Sequence, residues 1–256
     1  MTSEAAQTRC LTILTGDDAL PFLQGLVTND VLGLAKAPGI VWTGFLSAQG
    51  KYLADFFVVN TGDALLLDMP ETQAEDTLRR LNMYRLRADV QMIAAASGIY
   101  VSRGLGAVPE GGFADPRHPA LGWRSYSATP GTPSQIDWDR IRVAHLIPES
   151  NCELIPNESY ILEWGFERLH GVDFRKGCYV GQEVTARMKH KTELRKGMAK
   201  VSYSTPVAIG TEIMADEKPV GQIFTQSGGE AIAYLRFDRA SEAMIAGAAQ
   251  IRLLPE

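Results

Sequence analysis

The chain has 256 residues, 45% of them hydrophobic and 21% charged, with a formal net charge of −5. That length allows one large domain or two to three small ones, each with material for a buried core. Three cysteines without regular spacing (Cys10, Cys152 and Cys178) argue against a disulfide framework and fit a reducing compartment, so a cytoplasmic location is expected. No apolar run is long enough to span a bilayer. The opening residues carry neither the apolar stretch of a secretory leader nor the arginines of an organelle leader.

Leu11–Leu14 reads as a short strand and Thr15-Gly16-Asp17 as a turn, with Asp17 an N-cap for a helix over Ala19–Leu26. Ile40–Ser47 and Tyr52–Asn60 are strand-like, joined by a hairpin turn at Ala48-Gln49-Gly50-Lys51. A strand over Ala64–Met69, a helix over Glu71–Tyr84 and a strand over Val90–Ala95 follow. The order strand, helix, three strands, helix, strand is an α+β pattern close to a ferredoxin-like split βαβ unit with an added strand, over about 10–96.

Gly98–Arg103 is a candidate strand, and residues 104–122 read as a loop-rich connector. Ser134-Gln135-Ile136-Asp137 matches a capping box before a helix bearing Trp138, Ile141 and His145, with His145 read as a core histidine. Asn157–Leu169 is expected to be a helix interrupted by Gly165. From Met198 onward, five short strands separated by Gly, Pro and Asp suggest a small β-barrel or sandwich. The expected domains are 1–190, an α+β region, and 191–256, the barrel.

Residues 175–200 hold eight Lys/Arg (Arg175, Lys176, Arg187, Lys189, Lys191, Arg195, Lys196, Lys200) against Glu183 and Glu193, a local +6 in an acidic chain. Such a rim suits an anionic ligand; nucleic acid fits less well, because aromatics do not interleave with the charge. Within it lies Lys176-Gly177-Cys178-Tyr179-Val180-Gly181-Gln182-Glu183. Gly177 and Gly181 suit a sharp turn, and Val184–His190 reads as a short helix, which Gln182 and Glu183 would cap. Cys178 would then sit just before a helix start, where backbone N–H groups and the positive helix end favour a thiolate. Lys176 and Arg187 would help keep it ionised. The plain alternative is a buried, inert cysteine. The four histidines form no zinc-spaced pair and no Cys-x-x-Cys occurs, so no metal site built by this chain alone is expected.

The segment 176–183 resembles the signature of the YgfZ family, folate-binding relatives of the glycine-cleavage T-protein. Weaker matches occur in the family's order at Phe22–Asp30, Gly50–Asp55 and Tyr84–Val90. The resemblance implies a T-protein-like fold, tetrahydrofolate or a one-carbon derivative as cofactor, and a role in iron–sulfur protein maturation, related to tRNA modification, with assembly or client proteins as partners. The T-protein carries a pair of acids where this chain has Ala54 and Asp55, so one acid is missing and ordinary aminomethyl transfer is in doubt. Arg85 and Arg87, taken as neighbours at a strand start, would hold an anionic tail. Tyr84 and Trp164, with Trp42 and Tyr52, are candidates to stack a pteridine, although aromatics fill cores first.

The leading expectation is a monomeric, folate-binding protein with Cys178 as a reactive thiol at the pocket mouth. A folate-dependent aminomethyl- or methyltransferase and an RNA- or protein-binding scaffold are the alternatives. A Cys–His hydrolase pairing Cys178 with His170 or His190 is the weakest, since no third orienting group is evident.

Overall fold

A computed structural model describes residues 3–6, 8–95, 98–190 and 194–255. The chain divides into two units, Met1–Ile136 with Glu167–Val184, and Asp137–Phe166 with Thr185–Glu256.

The first unit contains β1 (Glu4–Ala5), β2 (Arg9–Thr15), α1 (Ala19–Gln24), β3 (Gly39–Leu46), β4 (Tyr52–Asn60), β5 (Leu65–Pro70), α2 (Glu71–Arg85), β6 (Gln91–Ala94), β7 (Tyr100–Gly104), β8 (Gly112–Ala114) and β9 (Trp123–Ser127). Five strands form one sheet in the order β3-β4-β5-β2-β6, with every pair antiparallel. β5 and β6 flank β2 and are joined through α2, which is the split βαβ arrangement read from the sequence. β4 is buried on both faces, so Phe56 to Val59 follow one another as consecutive apolar residues rather than alternating with polar ones. One face carries Phe45, Phe56, Val58, Leu67 and Met69, which pack with Leu23 of α1 and with Ala74 and Leu81 of α2.

The opposite face is built differently. Side chains alternate along a strand, so Phe57 and Asp68 point away from the helices. They meet a second sheet, ordered β1-β7-β9-β8. Asp68 is fully buried and accepts from Arg9 Nε at 2.6 Å, Arg124 Nη2 at 2.7 Å and Tyr126 Oη at 2.8 Å. Burial alone would raise the Asp68 carboxyl; Arg9 and Arg124 bring it down to about 2. Arg117 pairs with Asp115 at 2.9 Å, and Arg124 lies 4.1 Å from the Phe57 ring centre.

The second unit contains α3 (Trp138–His145), a run of turns, most of α4 (Gln182–His190), and β10 (Lys196–Tyr203), β11 (Glu212–Ala215), β12 (Lys218–Ser227), β13 (Glu230–Arg236), β14 (Met244–Ala246) and β15 (Ala249–Leu253). The six strands close into a barrel in the order β10-β13-β12-β11-β14-β15, with β15 pairing back onto β10. Its interior mixes small and large residues, Ala199, Ala215, Ala231, Ala233 and Ala246 among Val201, Ile213, Ile223, Leu235 and Ile251. A barrel this narrow has room for side chains only when small ones alternate with large ones. Glu153, fully buried, accepts from Arg142 of α3 and from Thr225 of β12.

Several local expectations are corrected. No helix forms over Asn157–Leu169: Asn157 and Gly165 have φ of +65° and +74°, and the segment folds as successive tight turns. The N-cap of α1 is Asp18, not Asp17. That of α3 is Asp137, whose side chain accepts from Arg140 N at 2.8 Å, while Ser134 Oγ donates to Glu4 instead. His145 is exposed rather than in the core.

Candidate functional site

The segment 170–181 is laid against two loops of the first unit's main sheet. One is the turn 24–30 after α1; the other is the hairpin 47–51 between β3 and β4. Thr28 Oγ1 donates to Gly171 O at 2.6 Å and accepts from Gly44 N at 2.8 Å. Asn29 Nδ2 donates to His170 O and Trp42 O at 2.6 and 2.8 Å, and Asp173 N donates to Thr28 O at 3.1 Å. Further along, Val180 N donates to Gly25 O at 3.3 Å.

Two glycines permit the closest approach. Gly181 has φ +85°, and a Cβ there would stand 2.6 Å from Ser47 O. Gly50, with φ +72°, would place a Cβ 2.7 Å from Val184 Cβ. Backbone thus meets backbone between motif and hairpin, which only glycine allows. Gly177 has no such neighbour within 4 Å.

Lys176 is buried. Its Nζ donates to Gln24 O at 2.8 Å, Val27 O at 2.5 Å and Asn29 O at 3.0 Å, and it lies 5.0 Å from the Tyr179 ring centre. Desolvation lowers this lysine to about 8, against the opposing pull of Asp30 and Asp173. Its inward-facing contacts differ from the thiol-activating role expected from sequence. Tyr179 is buried, whereas Cys178 and Gly177 are exposed, so the expected turn presents its thiol to solvent. α4 begins at Gln182, two residues earlier than read from sequence, with Glu183 in its first turn and Arg187 exposed further along.

Asp55 lies on β4, 7% exposed, accepting from Trp42 Nε1 at 2.8 Å and Tyr52 Oη at 2.6 Å. Tyr84 and Arg85 occupy the last turn of α2, and both are exposed; Tyr84 meets Phe45 edge to face at 6.3 Å. Leu86 turns the chain with φ +45°, so Arg85 ends a helix and Arg87 lies in the following loop. They are not the strand pair expected. Trp164 belongs to the second unit, stacked on Tyr234 at 5.2 Å. Of the basic stretch, Lys176 is interior, Lys196 and Lys200 belong to β10, and Lys191 and Glu193 lie outside the described residues.

Sequence reasoning missed Thr28 and Asn29 as ties to the motif, and Asp68 as the centre of an ion cluster. The signal for Asp68 was a lone acid inside the apolar strand Leu65–Met69.

The fold and the loop define the class first: a T-protein-like α+β fold ending in a six-stranded barrel. The whole chain superposes on the glycine cleavage system aminomethyltransferase T from Bartonella henselae with a TM-score of 0.69, covering 85% of that chain at 12% identity, a likeness of fold. Residues 195–256 match the family described as CAF17, C-terminal beta-barrel domain. In sequence, the chain is similar to the mitochondrial iron–sulfur cluster assembly factors IBA57. It is 33% identical to the Pyricularia oryzae homologue over 75% of this chain and 55% of that one. It is 29% identical to the Mycosarcoma maydis homologue over 74% and 54%, and 27% identical to the human protein over 89% and 75%. The chain spans about half the length of the fungal relatives. Each of these relatives is mitochondrial by name, which overturns the cytoplasmic expectation. No helix among the described residues is long and apolar enough to cross a membrane.

Proposed function

We propose that this chain is a folate-binding factor for the assembly or repair of iron–sulfur proteins, similar in kind to the YgfZ family, with Cys178 as its working thiol. The observation carrying the reading is the exposed Cys178 on a loop tied to the main sheet, in a chain similar over three quarters of its length to iron–sulfur assembly factors. Tetrahydrofolate, when bound, supplies a carrier for one-carbon units. The residues fit it in one respect: Asp55 is a buried carboxylate already holding Trp42 Nε1 and Tyr52 Oη, and a carboxylate among aromatic N–H and O–H donors suits the N–H groups of a reduced pterin. Arg85 and Arg87 are cations for an anionic tail. Trp164, stacked within its own unit, has no part in this reading. Partners are iron–sulfur assembly or client proteins.

The test has two arms. Calorimetry with tetrahydrofolate is expected to show binding by wild type and by Cys178→Ala, weakened at least about tenfold in Asp55→Asn. In cells lacking the endogenous gene, wild type but not Cys178→Ala is expected to restore iron–sulfur enzyme activity. Absence of tetrahydrofolate binding removes the cofactor; full rescue by Cys178→Ala removes the thiol.

A further inference from the structure

The ends of the thiol loop are held by main-chain contacts: Asp173 N to Thr28 O before it, Val180 N to Gly25 O after it. Between them the only side chain reaching inward with charge is Lys176. Its Nζ lies within 3.0 Å of three carbonyls, Gln24 O, Val27 O and Asn29 O. An ammonium has three N–H donors and no acceptor, so three carbonyls converging on one nitrogen match it proton for proton. Gln24 is the last residue of α1, whose final carbonyls need donors, and Val27 and Asn29 lie in the turn that follows. The Tyr179 ring stands 5.0 Å away, within the range of a cation–π contact. A lysine lowered to about 8 still carries its third proton at neutral pH. Cys178, two residues on, is exposed.

We propose that Lys176 is a positioning residue for Cys178: its ammonium pins the thiol-bearing loop to the turn 24–29 and fixes where the sulfur is presented. The inference rests on the reading of Cys178 as the working thiol, and it assigns Lys176 a mechanical part where the sequence suggested an electrostatic one. The two parts predict different things. A thiol activator changes the pH at which Cys178 reacts and leaves the loop in place. A pin changes the order of the loop. The geometry also sets the chemistry of the pin. The site calls for a compact point cation, whereas a guanidinium is planar and forked and cannot direct three protons into one small cone of carbonyls.

The experiment measures two things on the full-length protein: amide hydrogen exchange over 24–30 and 173–181, and iodoacetamide alkylation of Cys178 from pH 6 to 10, read by peptide mass. It compares wild type, Lys176→Met, Lys176→Arg and Lys176→Ala. Exchange at Val180 and Asp173 is expected to rise at least about tenfold in Lys176→Met and Lys176→Arg, with the pH midpoint of alkylation unmoved. In Lys176→Ala, ethylammonium chloride is expected to slow exchange again, while sodium chloride at equal ionic strength does not. Unchanged exchange in Lys176→Met overturns the pin. So does an upward shift of the alkylation midpoint with a protected loop, which marks an activator. Equal rescue by both salts removes the point-cation geometry. None of these readouts needs folate or iron–sulfur activity, so a failure of the proposed function leaves the test of the pin intact.

Discussion

The barrel interior and the seam between the first unit's two sheets are filled by opposite means. The barrel is closed by apolar side chains graded in size, with Ala opposite Ile, Val and Leu. The first unit sets charge between its two sheets: Asp68 takes two arginines and a tyrosine, and Asp115 takes Arg117. An apolar interior loses a little stability with each misfit atom. A buried ion cluster fails on the removal of one charge, because the partners stay behind desolvated. The first unit should therefore fail abruptly and the barrel gradually.

Removing the central acid is the strongest way to break this contrast. Asp68→Ala removes the carboxylate between Arg9 and Arg124, leaving Arg124 only Asp115 at 3.9 Å, and is expected to cost about 3–5 kcal/mol in urea unfolding. A loss under about 1 kcal/mol means that water enters between the sheets. Next comes the contact of motif and hairpin. Gly181→Ala combines a φ of +85° with a Cβ 2.6 Å from Ser47 O and is expected to cost about 1–3 kcal/mol. Gly177→Ala, with open space around it, should stay within about 0.5 kcal/mol of wild type. Equal effects at both glycines would refute the close approach. In the barrel, Ala233→Val is expected to cost about 1–2 kcal/mol by overpacking, measured by the same urea midpoint; no loss indicates slack in the interior.

Titration tests the buried charges one proton at a time. Asp68 is held at about 2 against an ordinary 3.8. Its stabilisation is therefore complete above pH 4 and is lost as the pH falls toward 2. Asp68→Asn should remove that acid-side slope. Lys176 runs the other way. It is lowered to about 8 from 10.5, so between those values the unfolded chain binds more protons. Stability relative to Lys176→Met should then rise from pH 8 to pH 10.5. A difference that falls over this window contradicts the burial of the amine.

How much of this was legible in the sequence follows from the range of each interaction. The strands of the main sheet and the Gln49-Gly50 hairpin are local patterns and show in the sequence; in the barrel, the strand Met244–Ala246 does not, and the apolar stretch from Val207 becomes strand only at Glu212. The 157–169 segment has the apolar content of a helix, but left-handed residues at Asn157 and Gly165 break it; their conformation is set by packing that no window of sequence displays. Arg85 and Arg87 looked like strand neighbours because Leu86 conceals a positive φ. The motif declared its cysteine and its glycines. It did not declare that Lys176 turns inward, because the three carbonyls it meets lie about 150 residues earlier in the chain and carry no side-chain signature.

Neither unit is continuous in the chain. The second begins at Asp137, breaks after Phe166 and resumes at Thr185, and the excursion between carries the thiol loop to the first unit. On the ribosome this orders events in time. The strands and helices of the first unit emerge together, but its closing piece waits for 30 further residues to be made, roughly 2–6 s at ordinary elongation rates. Until then the turn after α1 has its carbonyls unmet and the hairpin has no glycine against it. The thiol segment is the last part delivered to the first unit, so the loop bearing Cys178 takes its place only after the rest of that unit has been made.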